Sequence, residues 1–188
     1  DDVLVRIERA LDVDGEGQLV ASVLSKKIAA GSTHAVIDIP VGETAKVRTP
    51  GDADRLASLF TSVGAACGLK VRCIATDGSK PVGAGIGPTE EARDVLAVLQ
   101  GKRGAPEDLR SRAIMLAGHL FDLADGRGVK EGMVKAERLL QNGSAWGQFK
   151  RITEAQGGQR SLGEARFRRP VLCSESGTIV SIDNRRLA

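Results

Sequence analysis

A serine and a lysine one helical turn apart form the first candidate for chemistry in this sequence. The stretch ASVLSKKIAAG (21–31) places Ser22 four residues before Lys26, and residues at that spacing point the same way from an α-helix. Together, a hydroxyl and an ammonium group could bind a planar group that carries carbonyl oxygens. The alternative is that Lys26 and Lys27 are both solvated lysines, favoured by the negative end of the helix dipole. That alternative is preferred for Lys27, which lies toward the edge of the apolar stripe and can extend its amine into water.

A glycine-rich loop is the second candidate. GAGIGP (83–88) superficially resembles a nucleotide-binding loop, but its third glycine comes too early for the G-x-G-x-x-G pattern. The preferred interpretation is that these glycines allow a tight backbone path into a helix at Thr89. A second interpretation is that carbonyl oxygens of the loop, with a carboxylate from that helix, coordinate a cation.

The histidines and cysteines indicate structural roles. His119 lies among apolar residues, and His34 precedes a strand, whereas sites in parallel sheets favour the carboxyl ends of strands. The sequence has no zinc-ligand spacing, no nucleophile elbow and no P-loop lysine motif. Its 3 cysteines form no CxxC pair, which favours free thiols in a reducing cytoplasm.

Turn residues and apolar periodicity predict the elements that position these groups. Helices are predicted at Gln18–Ala30, Thr49–Gly68, Thr89–Leu99, Pro106–Ala124, Val129–Gln141 and Ser144–Ala155, and strands at Ala35–Val41 and Leu69–Thr76. The β-α-β order with short connections is typical of a parallel crossover. The predicted fold is therefore α/β, a partial parallel sheet flanked by helices, with a small C-terminal β segment in PVLCSESGTIVSIDNRRL (170–187).

The composition limits the classes of partner that the sequence indicates. The 188 residues carry 27 Lys+Arg against 24 Asp+Glu, a net charge of +3, which is too small to indicate a nucleic-acid or membrane partner. No apolar run reaches the length of a membrane span, and no secretory signal opens the chain. Because the sequence lacks an initial Met and enters structured-looking sequence at once, we expect a piece of a longer protein.

Several long segments resemble one family, in the family's order and spacing. They are DVDGEGQLVASVLSKKIAAGSTHAVIDIPVG (12–42), TDGSKPVGAGIGPTEEARDVLAVL (76–99) and AQGG (155–158). Together they resemble the thymidine phosphorylase family, and the SKKIAAGSTH form is closest to the branch that contains AMP phosphorylases. The resemblance implies a cytoplasmic pentosyltransferase that cleaves a nucleoside with phosphate, needs no organic cofactor and forms a homo-oligomer, such as a dimer.

The resemblance also implies roles for individual residues. Ser22 and Lys26 match the family's pyrimidine-binding serine and lysine, and Arg6 is the better candidate for its base-binding arginine. A monovalent cation, held in some members, would match Val82, Gly85 and Asp94. No residue is predicted to be catalytic, because the family's phosphate-binding loop precedes this region and is absent from the sequence.

The resemblance further implies three regions. Residues 1–30 would belong to the family's α domain, 31–158 to the α/β phosphorylase domain, and 159–188 to a linker and the start of a C-terminal α+β domain. We expect the family's N-terminal domain to complete the site, and the piece alone to be inactive. Two alternatives stay open, an AMP phosphorylase that releases adenine and ribose 1,5-bisphosphate, and a non-catalytic binding module that retains the fold.

Overall fold

The computed structural model describes residues 15–187. Within that range the helices are α1 (Glu16–Ala29), α2 (Pro50–Ala66), α3 (Pro88–Leu99), α4 (Glu107–Asp125), α5 (Val129–Gln141), α6 (Ser144–Ala155) and α7 (Asn184–Leu187), and the strands are β1 (His34–Val41) and β2 (Lys70–Asp77). The predicted helices and strands that precede residue 156 are all confirmed, with ends that differ by a residue or two.

The chain forms two compact units. The first runs to Gly78 and also includes His119–Val129, and the second comprises Ser79–Gly118 and the chain from Lys130 onward. This division follows contacts within the chain, whereas the three sequence regions follow a family resemblance. Their boundaries at residues 30 and 158 therefore stay a prediction.

A two-stranded parallel sheet forms the centre of the first unit. β1 and β2 pair in register from His34 opposite Lys70 to Val41 opposite Asp77, which confirms the predicted parallel sheet flanked by helices. One face of β1 is buried through Ala35, Ile37 and Ile39. The core that it shares with the first two helices contains Val20, Leu24, Ala53, Leu56 and Phe60. Burying such apolar side chains is the main force that holds the helices on the sheet.

Polar pairs lie on the other face of the sheet. Thr76 Oγ1 donates to Asp38 Oδ1 at 2.6 Å, so the single acid within the apolar β1 strand is paired across to β2. Arg72 Nη1 donates to Asp122 Oδ2 at 2.7 Å and to the carbonyl oxygen of His119 at 3.3 Å. The C-terminal part of α4 is thereby tied to β2.

In the second unit, α4 and α5 approach each other through two glycines. An ideal Cβ at Gly118 would lie 2.9 Å from the backbone nitrogen of Met133, and one at Gly132 would lie 3.0 Å from the carbonyl carbon of Gly118. Real side chains do not pack that closely against backbone atoms, so both positions require glycine. The close contact sets the spacing of the two helices.

We expect Gly132→Ala to destabilise the protein by about 1–3 kcal/mol, because the new methyl group would force the backbones of α4 and α5 apart. Chemical denaturation monitored by circular dichroism measures this change. Gly147→Ala in α6 is the matched control, since a Cβ there meets nothing within 4 Å, and alanine at that helical position should stabilise by up to about 1 kcal/mol. Equal effects of the two substitutions would contradict the packing explanation.

The predicted C-terminal β segment is wrong for this structure. From residue 159 to residue 183 the described chain contains neither helix nor strand, and residues 184–187 form the short helix α7. Apolar side chains of this segment are highly exposed, among them Phe167, Val171 and Val180. An isolated two-stranded hairpin is marginally stable at best without further strands or a helix to cover its apolar face. The apolar pattern alone was therefore not sufficient to predict a β segment here.

Candidate functional site

The serine and lysine singled out in the sequence lie on α1. The helix buries Val20 and Leu24 in the core of the first unit, and Ser22 and Lys26 lie on the opposite side of the helix. Ser22 is half-buried, and Lys26 is exposed. Because the two residues are one turn apart on a continuous helix, their side chains leave it in nearly the same direction.

Lys27 has a different environment from its neighbour. It is half-buried, and its Nζ donates back to the carbonyl oxygen of Val23 at 3.4 Å. Lys26 and Lys27 both lie in the last turn of α1, where the helix dipole favours positive charge. The helix then ends with Gly31 at a φ of 73°, a conformation that glycine adopts without strain. The two lysines thus share an electrostatic setting and differ in exposure.

The beginning of α1 is fixed by an ion pair. Arg55 of α2 donates to Glu16 Oε1 through Nε at 2.9 Å and through Nη2 at 2.7 Å. The same guanidinium bonds Asp52 Oδ1 at 2.9 Å. Glu16 and Arg55 are exposed and Asp52 is half-buried, so these contacts contribute little to stability on their own. They do restrict how α1 can rotate on α2, and therefore how Ser22 and Lys26 are presented.

Backbone N–H groups of the glycine-rich loop are bound by carboxylates of the chain itself. Asp94 Oδ2 accepts from the N–H groups of Ala84 and Gly85, each at 2.7 Å. Asp108 Oδ2 accepts from Gly83 at 3.1 Å, and Glu91 Oε1 accepts from Gly87 at 3.0 Å. A loop that cradles a phosphate needs these donors for the ligand. This arrangement agrees with the interpretation that the loop is not a nucleotide-binding loop.

One of these hydrogen bonds, from the N–H of Gly83, also lowers the pKa of Asp108. The N–H of Gly83 is the largest of the influences that hold the pKa of Asp108 below its usual value, and the nearby Lys80 acts in the same direction. A carboxylate that accepts hydrogen bonds from N–H groups is stabilised in its ionised form. Asp108 is therefore anionic at neutral pH.

Oxygens suited to a monovalent cation lie in this loop and in α3. Within residues 15–187, neither the carbonyl oxygens of Val82 and Gly85 nor Asp94 Oδ1 accepts a hydrogen bond from the protein. Hard cations are bound by carboxylate and backbone carbonyl oxygens of this kind. No group of three His, Cys, Asp or Glu side chains in the described part could hold a metal ion. The donor set of two carbonyl oxygens and one carboxylate oxygen has the chemistry of a cation site formed mainly by backbone oxygens.

The two histidines, for which the sequence predicts structural roles, and one cysteine lie in the first unit. His34 starts β1, and its Nδ1 lies 2.9 Å from Thr33 Oγ1. His119 is half-buried, and its carbonyl oxygen is engaged by Arg72. Burial raises the pKa of the Cys73 thiol to about 11, so this cysteine is protonated and a poor nucleophile at neutral pH.

The structure brings the predicted residues together in two groups. Ser22 and Lys26 share one helix of the first unit, and Val82, Gly85 and Asp94 share one loop and helix of the second. Arg6 lies outside the described residues. Sequence reasoning missed Asp108 and Glu91, which bind loop N–H groups. Glu91 could have been found from its place in the first turn of α3, four residues after Gly87, whereas Asp108 lies 25 residues from Gly83.

Comparison with known proteins identifies close relatives, although no family model matches the chain. "Putative thymidine phosphorylase 1" of Cupriavidus necator is 55% identical over 188 residues. Proteins named "Putative thymidine phosphorylase" from Ralstonia nicotianae and Legionella pneumophila strain Paris are 54% and 56% identical. Each comparison covers 100% of this chain, which spans 36–37% of the length of these relatives. Within residues 15–187, no helix has both the length and the apolar character needed to cross a membrane.

Proposed function

We propose that this chain is part of a pentosyltransferase of the thymidine phosphorylase family that cleaves a pyrimidine nucleoside with phosphate, and the proposal is supported by relatives named putative thymidine phosphorylase that are 54–56% identical over the whole chain. The reaction converts thymidine and phosphate to thymine and 2-deoxyribose 1-phosphate. A phosphate oxygen forms a bond to the anomeric carbon as the bond from that carbon to the base nitrogen breaks. The bonding electrons leave with the base, and negative charge develops on the base and its carbonyl oxygens.

The observation that carries the proposal is the side of α1 that bears Ser22 and Lys26. The ammonium of Lys26 and the hydroxyl of Ser22 would bind the carbonyl oxygens of the base, as the family resemblance implies. Because the charge on those oxygens grows as the glycosidic bond breaks, a fixed cation beside them stabilises the transition state more than the bound substrate. Val20 and Leu24 belong to the buried core of the first unit, so the part of the helix that carries Ser22 and Lys26 is anchored there.

The proposal includes a monovalent cation and no organic cofactor. Val82, Gly85 and Asp94 would hold the cation, whose bound charge would stabilise the loop between β2 and α3. Phosphate is the co-substrate, and its binding residues belong to the segment that the resemblance places before this chain. The proposal also includes a cytoplasmic homo-oligomer.

Base release across a substrate panel tests the proposed function in the full-length protein. Thymidine, uridine and AMP are each incubated with phosphate, and the free base and sugar phosphate are measured by chromatography. We expect thymine and 2-deoxyribose 1-phosphate from thymidine, with no release when phosphate is omitted. Release of adenine and ribose 1,5-bisphosphate from AMP alone would replace the proposal with the AMP phosphorylase alternative. A folded protein that releases no base from any substrate would favour the non-catalytic module.

A further inference from the structure

The loop between β2 and α3 is held by carboxylates from two different helices. Asp94 of α3 accepts from Ala84 and Gly85, and Asp108 of α4 accepts from Gly83. Residues 78–87 form neither helix nor strand, and Gly83 has a φ of 85°, so no repeating backbone pattern fixes the path of the loop. Hydrogen bonds to ionised acceptors are stronger than those between neutral groups. Together with Glu91, which accepts from Gly87, these two carboxylates are the side-chain contacts that hold the loop's backbone.

The hydrogen bond to Gly83 has a consequence for the preceding carbonyl group. The N–H of Gly83 and the C=O of Val82 belong to one planar trans peptide unit, in which the two groups point in opposite directions. When Asp108 binds the N–H at 3.1 Å, it also directs the Val82 oxygen away from its own carboxylate. Asp108 is itself oriented, because its Oδ1 accepts from the N–H of Leu109 at 2.8 Å.

We propose that Asp108 is a positioning residue that orients the carbonyl of Val82 toward a monovalent cation shared with Gly85 and Asp94. The inference rests on the cation included in the proposed function. It adds a residue that does not contact the cation and acts through the Val82–Gly83 peptide unit. Without Asp108, that peptide unit could rotate, and the Val82 oxygen would leave the ligand set for part of the time.

The test uses the full-length protein and three variants, and it needs no measurement of activity. The melting temperature is recorded against KCl concentration at constant ionic strength, with N-methylglucamine chloride as the replacement salt, and the dependence gives an apparent Kd for K⁺. Hydrogen exchange, followed by NMR or mass spectrometry, reports the protection of the Gly83 amide in the same samples. The variants are Asp108→Ala, Asp108→Asn and Glu107→Ala.

Each variant has a distinct expected result. Asp108→Ala should raise the apparent Kd for K⁺ and the exchange rate at Gly83 by about 10-fold each, the effect of losing one hydrogen bond to a charged acceptor. Asp108→Asn keeps an acceptor oxygen and should restore most of both. Glu107→Ala is the matched control, because this substitution removes the same charge one residue away. Glu107 accepts hydrogen bonds from Arg110 and Ser111. It should match the wild type in both measurements.

The outcomes distinguish a failure of the positioning role from a failure of the proposed cation site. If the wild type responds to K⁺ and Asp108→Ala responds with the same Kd, then the positioning role is wrong and the cation proposal stands. If the wild type shows no specific response to K⁺, then the cation proposal fails and the positioning role fails with it. Equal losses in Asp108→Ala and Glu107→Ala would also overturn the inference, because general charge would then explain both.

Discussion

Replacing Lys26 by methionine in the full-length protein is expected to lower the kcat of the proposed phosphorolysis by on the order of 10²–10³, whereas the same change at Lys27 should leave kcat within about 2-fold. The larger figure is that for removal of one group that stabilises developing negative charge. Lys26 is exposed on the side of α1 that carries Ser22, while Lys27 is half-buried and bonds the carbonyl oxygen of Val23. The departing base would therefore lose its cationic partner only in the Lys26 variant.

Steady-state kinetics with thymidine and phosphate measure this difference. Methionine keeps much of the aliphatic stem of lysine and removes only the charge, so the two variants form a matched pair on one helix. Equal losses in kcat and kcat/KM indicate an interaction made in the transition state, whereas a change in KM alone indicates substrate binding. If both variants fold and Lys27→Met costs as much activity as Lys26→Met, then the division of the two lysines is wrong.

Local signals were sufficient to predict most helices and strands of this fold. The segment from Thr49 to Gly68 shows why, because Thr49 accepts a hydrogen bond from Asp52 N at 3.2 Å, Pro50 opens the helix, and Gly68 follows it with a φ of 74°. Each of these residues favours its position by its own conformational preference. The short connection to β2 then restricted the sheet to a parallel pairing.

Contacts between residues far apart in the sequence determine the features of the structure that the sequence pattern did not predict. The alternation of apolar residues in 170–187 is the same in a hairpin and in an exposed chain, and only a covering surface distinguishes the two. Asp108 is a similar case, because an acid in the first turn of a helix is ordinary in any sequence. Its contact with Gly83 follows from how α4 lies beside the loop, which no local pattern records.

For the candidate site, too, some features follow from the sequence and others only from the packed structure. The shared direction of Ser22 and Lys26 follows from helical spacing alone, and the structure adds that Val20 and Leu24 turn the other side of α1 into the core. The different exposure of Lys26 and Lys27 depends on how the helix is rotated against the sheet. Sequence spacing could separate the two lysines by direction, but only the packed helix shows which of them is covered.

The 188-residue chain by itself is expected to release no detectable base from thymidine or AMP in the presence of phosphate. The family resemblance assigns the phosphate to a glycine-rich loop with lysine, serine and threonine that is absent from this sequence, and the chain spans 36% of its relative from Cupriavidus necator. The one glycine-rich loop before α3 uses its N–H groups at Gly83, Ala84, Gly85 and Gly87 for carboxylates. It has few donors left to hold an anion.

Positioning of two reactants accounts for up to roughly 7–11 kcal/mol of the barrier in well-oriented reactions. A chain that binds the base and leaves phosphate free in solution would forgo most of that contribution, so its rate should fall below detection. Chromatographic assay of free thymine and adenine over a day measures this, with circular dichroism on the same sample to verify that the chain is folded. Base release that scales with chain concentration and persists through successive purification steps would show that these 188 residues contain a complete phosphate site, and the proposed division of the site between segments would be wrong.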